Sequence, residues 1–135
     1  MQLPITAITA AICAIMLLIT AIDTVRQRIR SKTAFGDGGG DAKLISASRS
    51  HGNLAEHAPI AIILIGLLEQ THVNHLALSA VAATFLFARV FHIFGLYAPM
   101  STKPPVPRQI GVIGTWLTLS ILIVWTLYTV VTLNG

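Results

Sequence analysis

A chain of 135 residues that is 54% hydrophobic and only 10% charged, with a mean hydropathy of +0.76, excludes an ordinary soluble protein and points to one integral membrane domain. Its single cysteine, Cys13, excludes an intrachain disulfide. The formal charge of +4 is gathered in particular connections, so it bears on topology, and no nucleic-acid motif accompanies it.

Four apolar spans follow in order, at about residues 4–22, 44–68, 76–97 and 110–133. Lengths of about 20 residues suit helices crossing about 30 Å of hydrocarbon, whereas barrel strands would be about 10 residues long and alternating. The expected fold is therefore an all-α transmembrane four-helix bundle in a single domain over 1–135. The first span carries no charge before Asp23, and its positive cluster follows the apolar run. That order predicts a retained anchor with an outer N-terminus rather than a cleaved signal peptide. Cys13, among Ala and Ile, reads as a small packing residue.

Residues 26–43, RQRIRSKTAFGDGGGDAK, read as a polar, Gly-rich flexible loop. The link EQTHVNH makes a tight hairpin between the second and third spans. His72 and His75 lie there at H-x-x-H spacing, too few ligands for a metal site, so no metal is expected. Residues 98–108, APMSTKPPVPR, are too Pro-rich to be helical throughout. All nine Lys and Arg lie in the two longer connections or in the halves of the spans beside them. The positive-inside rule then puts both long loops in the cytoplasm and both termini outside.

The second span opens on SRSHGNLAEHAP, polar groups where a membrane helix should be apolar. On a helical wheel Arg49, Asn53 and Glu56 fall within about 60° of one another. Gly52 and His57 border this stripe, and His51 points nearly opposite. Glu56 lies about 18 Å along a helix begun at Leu44. The third span carries Arg89 and His92 at i and i+3, at similar depth. Two arginines and a glutamate facing lipid separately would cost roughly 8–10 kcal/mol. The expectation is that Glu56 pairs with Arg89 inside the bundle and Asn53 satisfies leftover donors. Such a pair can be structural glue alone. The surplus of Arg49, His92 and Arg108 instead favours a pocket for an anionic ligand. Pro59 kinks the second helix, either opening space beside Glu56 or shaping packing. On the fourth span Gly111 and Gly114 read as close-packing points, and Tyr128 as part of an interfacial belt. Trp116 and Trp125 face lipid or neighbours.

GDGGGDAKLISASRSHGNLAEHAPIAIILIGLLE, with its R-x-H-x-N-x-x-E pattern and the RVFH of the third span, resembles bacterial MAPEG proteins. These are membrane-associated proteins in eicosanoid and glutathione metabolism, and the likeness extends over nearly the whole chain. It implies a homotrimer in the bacterial inner membrane, binding glutathione between neighbouring subunits on the cytoplasmic side. Carried over by motif, Arg49, Asn53, Glu56 and His92 line that site beside Arg89. Arg26, in VRQR, matches an arginine supplied by the adjacent subunit. Arg108 matches the fourth-helix arginine held near the glutathione sulfur, where it would stabilise the reactive thiolate. Three positions depart from the pattern. Leu96 stands where some eicosanoid-type members have tyrosine, with Tyr97 about 100° further round, Gln109 follows Arg108 where some have serine, and Gly52 stands where animal enzymes often have a second arginine. They imply fewer ligand contacts and a weaker or different activity, and the bacterial character of the sequence speaks against an eicosanoid role.

The leading expectation is a glutathione-dependent transferase or peroxidase. Glutathione would be co-substrate, with lipophilic electrophiles or lipid hydroperoxides as the second substrate. The alternative is a non-catalytic protein binding an anionic lipid or thiol metabolite. A small transporter is weaker, because four spans without a visible repeat offer little for alternating access.

Overall fold

The computed structural model of the protein describes residues 2–71, 73–99 and 103–134; His72 of the H-x-x-H pair lies outside them. Four helices account for almost all of this, α1 (Pro4–Ser31), α2 (Ala42–Glu69), α3 (His75–Tyr97) and α4 (Val106–Asn134). No strand occurs among the described residues. Each helix is long and apolar enough to cross a membrane.

The helices outrun the apolar spans read from sequence. Arg, Gln and Ile are good to fair helix formers, so α1 continues through VRQRIRS and carries Arg26, Arg28 and Arg30 on its last two turns. It stops where Lys32 takes a left-handed conformation (φ 52°) and its N–H caps the carbonyls of Arg28 and Ile29. The Gly-rich connection then turns through positive φ at Gly36, Gly38, Gly39 and Gly40. α2 opens on Asp41, whose carboxylate accepts from the Leu44 N–H. Arg30 donates both ways to the same carboxylate, at 2.6 and 2.7 Å. That contact, and then the Leu44 N–H, hold the Asp41 carboxyl below its ordinary value. The first connection is thus tied to α1 at its far end rather than free. α4 starts earlier than the apolar run, with Pro107 in its first turn, where a missing N–H costs nothing.

α1 packs along α2 and α3 along α4. α2 also touches α3 and α4, whereas α1 and α4 do not meet among the described residues. The core between them is apolar, built from Cys13, Met16, Leu54, Ala58, Ala61, Ile65, Leu78, Ala82, Phe85 and Leu122. Cys13 is a packing residue here, buried to 1% exposure.

Two polar clamps fix α1. At one end of the bundle the buried Glu69 of α2 reaches the exposed start of α1. It accepts from the N–H groups of Ile5 and Thr6, both at 2.7 Å, and from the Thr6 hydroxyl at 2.6 Å. These are orphan donors of a first helical turn, and a carboxylate also complements the positive helix end. At the other end the Tyr97 hydroxyl of α3 donates to Asp23 of α1. About one turn before Asp23, Thr20 of α1 meets Nδ1 of His51 at 3.2 Å.

The α3–α4 contact depends on glycine. A Cβ on Gly95 would lie 2.2 Å from the Arg108 nitrogen, and one on Gly111 would lie 2.5 Å from the Cβ of His92. Gly114 is similarly close to Ala88, at 2.9 Å. Gly111 and Gly114 are close-packing points, and Gly95 completes the set from α3. Gly95→Ala cannot be accommodated without separating backbones, because the clash is with main chain. It should lower resistance to SDS-induced unfolding, followed by circular dichroism, by at least about 1–3 kcal/mol. Gly52→Ala, whose added methyl would meet nothing within 4 Å, should match wild type or exceed it.

Candidate functional site

α2 has two opposed faces. Leu44, Ala47, Leu54, Ala58, Ala61, Ile65 and Leu68 are buried against the other helices. Opposite them, Ile45, Arg49, Glu56, Ile60, Ile63 and Leu67 are exposed along the full length of the helix. The polar stripe of the second span therefore points out of the protomer, and only its edge turns inward. That edge is Asn53, half-buried, with its side-chain oxygen 2.9 Å from Nη1 of Arg89.

Arg89 is 2% exposed and His92 5% exposed. The expected Glu56–Arg89 ion pair does not form within the protomer. The only ion pair among the described residues is Arg30–Asp41. The wheel explains the correction. Glu56 lies about 60° from Asn53, on the outer side of the stripe, while Arg89 approaches from the inner side. Asn53 meets one guanidinium donor, as the sequence suggested, but Nε of Arg89 and Nδ1 of His92 have no partner among the described residues. A cation thus sits inside a membrane bundle opposite an amide rather than a carboxylate.

A recess of about 240 Å³ opens from this point between α2 and α4, lined by Asn53, His57, Arg89, Val112, Thr115 and Trp116. His57 is held by its Nδ1–H donating to the Asn53 carbonyl at 2.8 Å. A second recess of about 330 Å³ follows α4 towards its N-terminus, lined by Pro104, Arg108, Gln109, Val112 and Ile113. Val112 borders both, so the two recesses adjoin as a groove along α4, with Arg89 in the wall of the first and Arg108 in the wall of the second. Gly95 and Gly111 set its geometry by letting α4 press on α3, with Arg108 against Gly95 and His92 against Gly111, which brings Arg108 within about a turn of His92. Arg89, Arg108 and His57 are the titratable groups near enough to His92 to act on it electrostatically. Gln109, in the wall of the second recess, is engaged there, with its amide donating to the Pro104 carbonyl at 2.7 Å.

The structure therefore brings together Asn53, Arg89, His92 and Arg108, with His57 added. It leaves Arg49 and Glu56 on the outer face of α2, and Arg26 exposed on α1, remote from this groove because α1 and α4 do not touch. His51 points to α1 rather than to the groove. Sequence reading missed Glu69, because a carboxylate at the end of an apolar helix reads as solvated. Its only signal was the lack of any side-chain cap for α1, whose N-cap position is Leu3.

Four membrane-length helices enclosing a cationic recess define an integral membrane protein with a buried polar site. The MAPEG family model matches residues 6–128, and the chain belongs to the MAPEG family. It is also 30% identical over 124 residues to the inner membrane protein YecN of Escherichia coli K12, covering 92% of this chain and 91% of that one. The YecN protein of E. coli O6:H1 matches to the same extent. No solved structure matches the chain.

Proposed function

We propose that the protein is a glutathione-dependent membrane transferase or peroxidase, working as a homotrimer in the bacterial inner membrane with its basic connections in the cytoplasm. The observation that carries this reading is Arg89, a buried guanidinium with no carboxylate facing it among the described residues. A cation left so is costly in a low-dielectric interior. An anionic ligand in the adjoining groove would supply the missing charge, and glutathione's carboxylates match guanidinium in bidentate geometry.

Self-association is supported by the outer face of α2. Arg49 and Glu56 at membrane depth would each cost roughly 2.5–3.5 kcal/mol against lipid, so a second copy is the better neighbour. In such an assembly Arg49 and Glu56 would lie at the subunit boundary, and Arg26 of an adjacent α1 would reach the groove that its own α1 cannot.

Arg108 would sit beside the sulfur. A free thiol ionises near pH 8.5 and reacts as the thiolate. A guanidinium at the start of α4, reinforced by the positive helix end, lowers that value. The thiolate can displace a leaving group from a lipophilic electrophile, forming the S–C bond as the leaving group departs with its electron pair. With a hydroperoxide, two glutathiones give the disulfide, and the peroxide leaves as alcohol and water.

Arg89→Met tests the carrying observation. Methionine keeps the length without the charge, and apolar replacement of buried charge is commonly tolerated. The expected outcome is a folded protein by circular dichroism whose glutathione affinity, measured calorimetrically, falls by about tenfold or more. Unchanged affinity would overturn the proposal. Glutathione binding without conjugation or hydroperoxide reduction would instead support the non-catalytic binder.

A further inference from the structure

Two recesses adjoin the seam where α1 meets α3, the second of them walled also by the start of α2. The deeper one, about 240 Å³, is lined by Met16, Ile19 and Thr20 of α1 and Val90, Ile93 and Phe94 of α3. Its one polar residue is already engaged, since the Thr20 hydroxyl bonds the Met16 carbonyl and His51. The other recess, about 520 Å³, opens at the bundle end carrying the long connections, with Gln27, Lys43, Ser46, Tyr97 and Pro99 in its wall.

The two share one stripe. Met16, Thr20 and Gln27 recur at i, i+4 and i+11 on α1, and Val90, Phe94 and Tyr97 at i, i+4 and i+7 on α3, so each set lies on one helix face. Gln27 and Thr20 are about 10 Å apart along the axis, and Gln27 and Met16 about 16 Å. The Tyr97–Asp23 hydrogen bond crosses the seam between the recesses. The seam is thus apolar within the membrane and polar at its mouth.

The charge at the mouth has a sign. Asp23 accepts from Tyr97 and Gln27 and has the Arg26 cation near enough to act on it, and Asp41 is matched by Arg30. Lys43 has no carboxylate within ion-pair distance among the described residues. It stands on the first turn of α2, whose dipole adds further positive potential. An unfilled apolar recess forfeits dispersion contacts, and at this depth hydrocarbon chains are the available filler.

We propose that the α1–α3 seam binds an anionic phospholipid, with its phosphate at Lys43 and one acyl chain in the recess of Phe94, Ile93, Val90 and Met16. This site is separate from the Arg89 groove and does not depend on the glutathione reading. A second copy is a poorer occupant, because the face with unmatched charges at membrane depth is on α2.

Native mass spectrometry in a mild detergent tests it, with phosphatidylglycerol and phosphatidylcholine of identical chains at equal concentration. Wild type should retain phosphatidylglycerol by about fivefold over phosphatidylcholine, and Lys43→Glu should bring the two to parity. Val90→Trp, filling the recess, should reduce retention of both lipids while the helical circular dichroism is kept. Ile19→Trp fills it from the opposite wall and repeats the test if Val90→Trp does not fold. Equal retention of the lipids by wild type, a preference that survives Lys43→Glu, or retention that survives the fillers would each overturn the proposal. So would a filler that lowers the oligomeric mass, which would assign the seam to a second copy.

Discussion

Arg108→Ala should still bind glutathione but no longer hold it as the thiolate. At neutral pH a thiol of ordinary pKa is only a few per cent ionised. The ultraviolet thiolate band of the wild-type complex should therefore fall by about tenfold or more in the variant. Conjugation rates should fall by about 10²–10³, the usual loss on removing one donor that stabilises a reacting anion. Arg108→Lys should recover part of the band, because it restores the charge without the planar fork. Stability should change little, since the close α3–α4 approach at this point is made by the Arg108 backbone against Gly95. A full thiolate band in Arg108→Ala would remove this arginine from the chemistry and shift attention to Arg89.

The largest expected loss of stability is at Glu69. Its carboxylate holds three donors at the start of α1 from a position that is 4% exposed. Glu69→Ala strands the Ile5 and Thr6 N–H groups and the Thr6 hydroxyl at a helix end packed on α2. Hydrogen bonds to a charged group contribute about 1.5–3 kcal/mol each, and they are not additive. A loss of about 3–5 kcal/mol is expected for the set, read as a lower midpoint in SDS-induced unfolding. Glu69→Gln keeps acceptor geometry without charge and should fall between. Proteolysis near the N-terminus should rise in step, because the first turn of α1 is what comes loose. Wild-type resistance in Glu69→Ala would mean that apolar packing of Cys13 and Met16 alone secures α1.

How much of this was legible in the chain differs by feature. The four helices follow from composition, because a long uncharged apolar run in a membrane satisfies its backbone only as a helix. Their ends were less clear. Hydropathy marks where the apolar run stops, whereas α1 continues to Ser31 as long as residues favour helix, until Lys32 turns left-handed. The close-packing role of Gly111 and Gly114 was legible as a spacing, but not the partner surface. Gly95 became meaningful only once Arg108 was seen lying on it.

The wheel of α2 placed Arg49, Asn53 and Glu56 together, and they do lie together. Which way that face points was not in the stripe itself. It was in the opposite one, since Leu54, Ala58, Ala61 and Ile65 claim the interior and leave the charges outside. Reading the apolar face first would have sent Glu56 outward and left Arg89 with Asn53. Sequence by itself determined the helical membrane architecture and the set of polar residues at mid-depth, because both depend on local chemistry along one chain. Only tertiary structure decided that Arg89 meets an amide, that Glu69 caps a helix more than sixty residues away, and that Arg108 comes within about a turn of His92. Each of those is a contact between helices, set by how closely backbones approach and by rotation about helix axes, and hydropathy carries neither quantity.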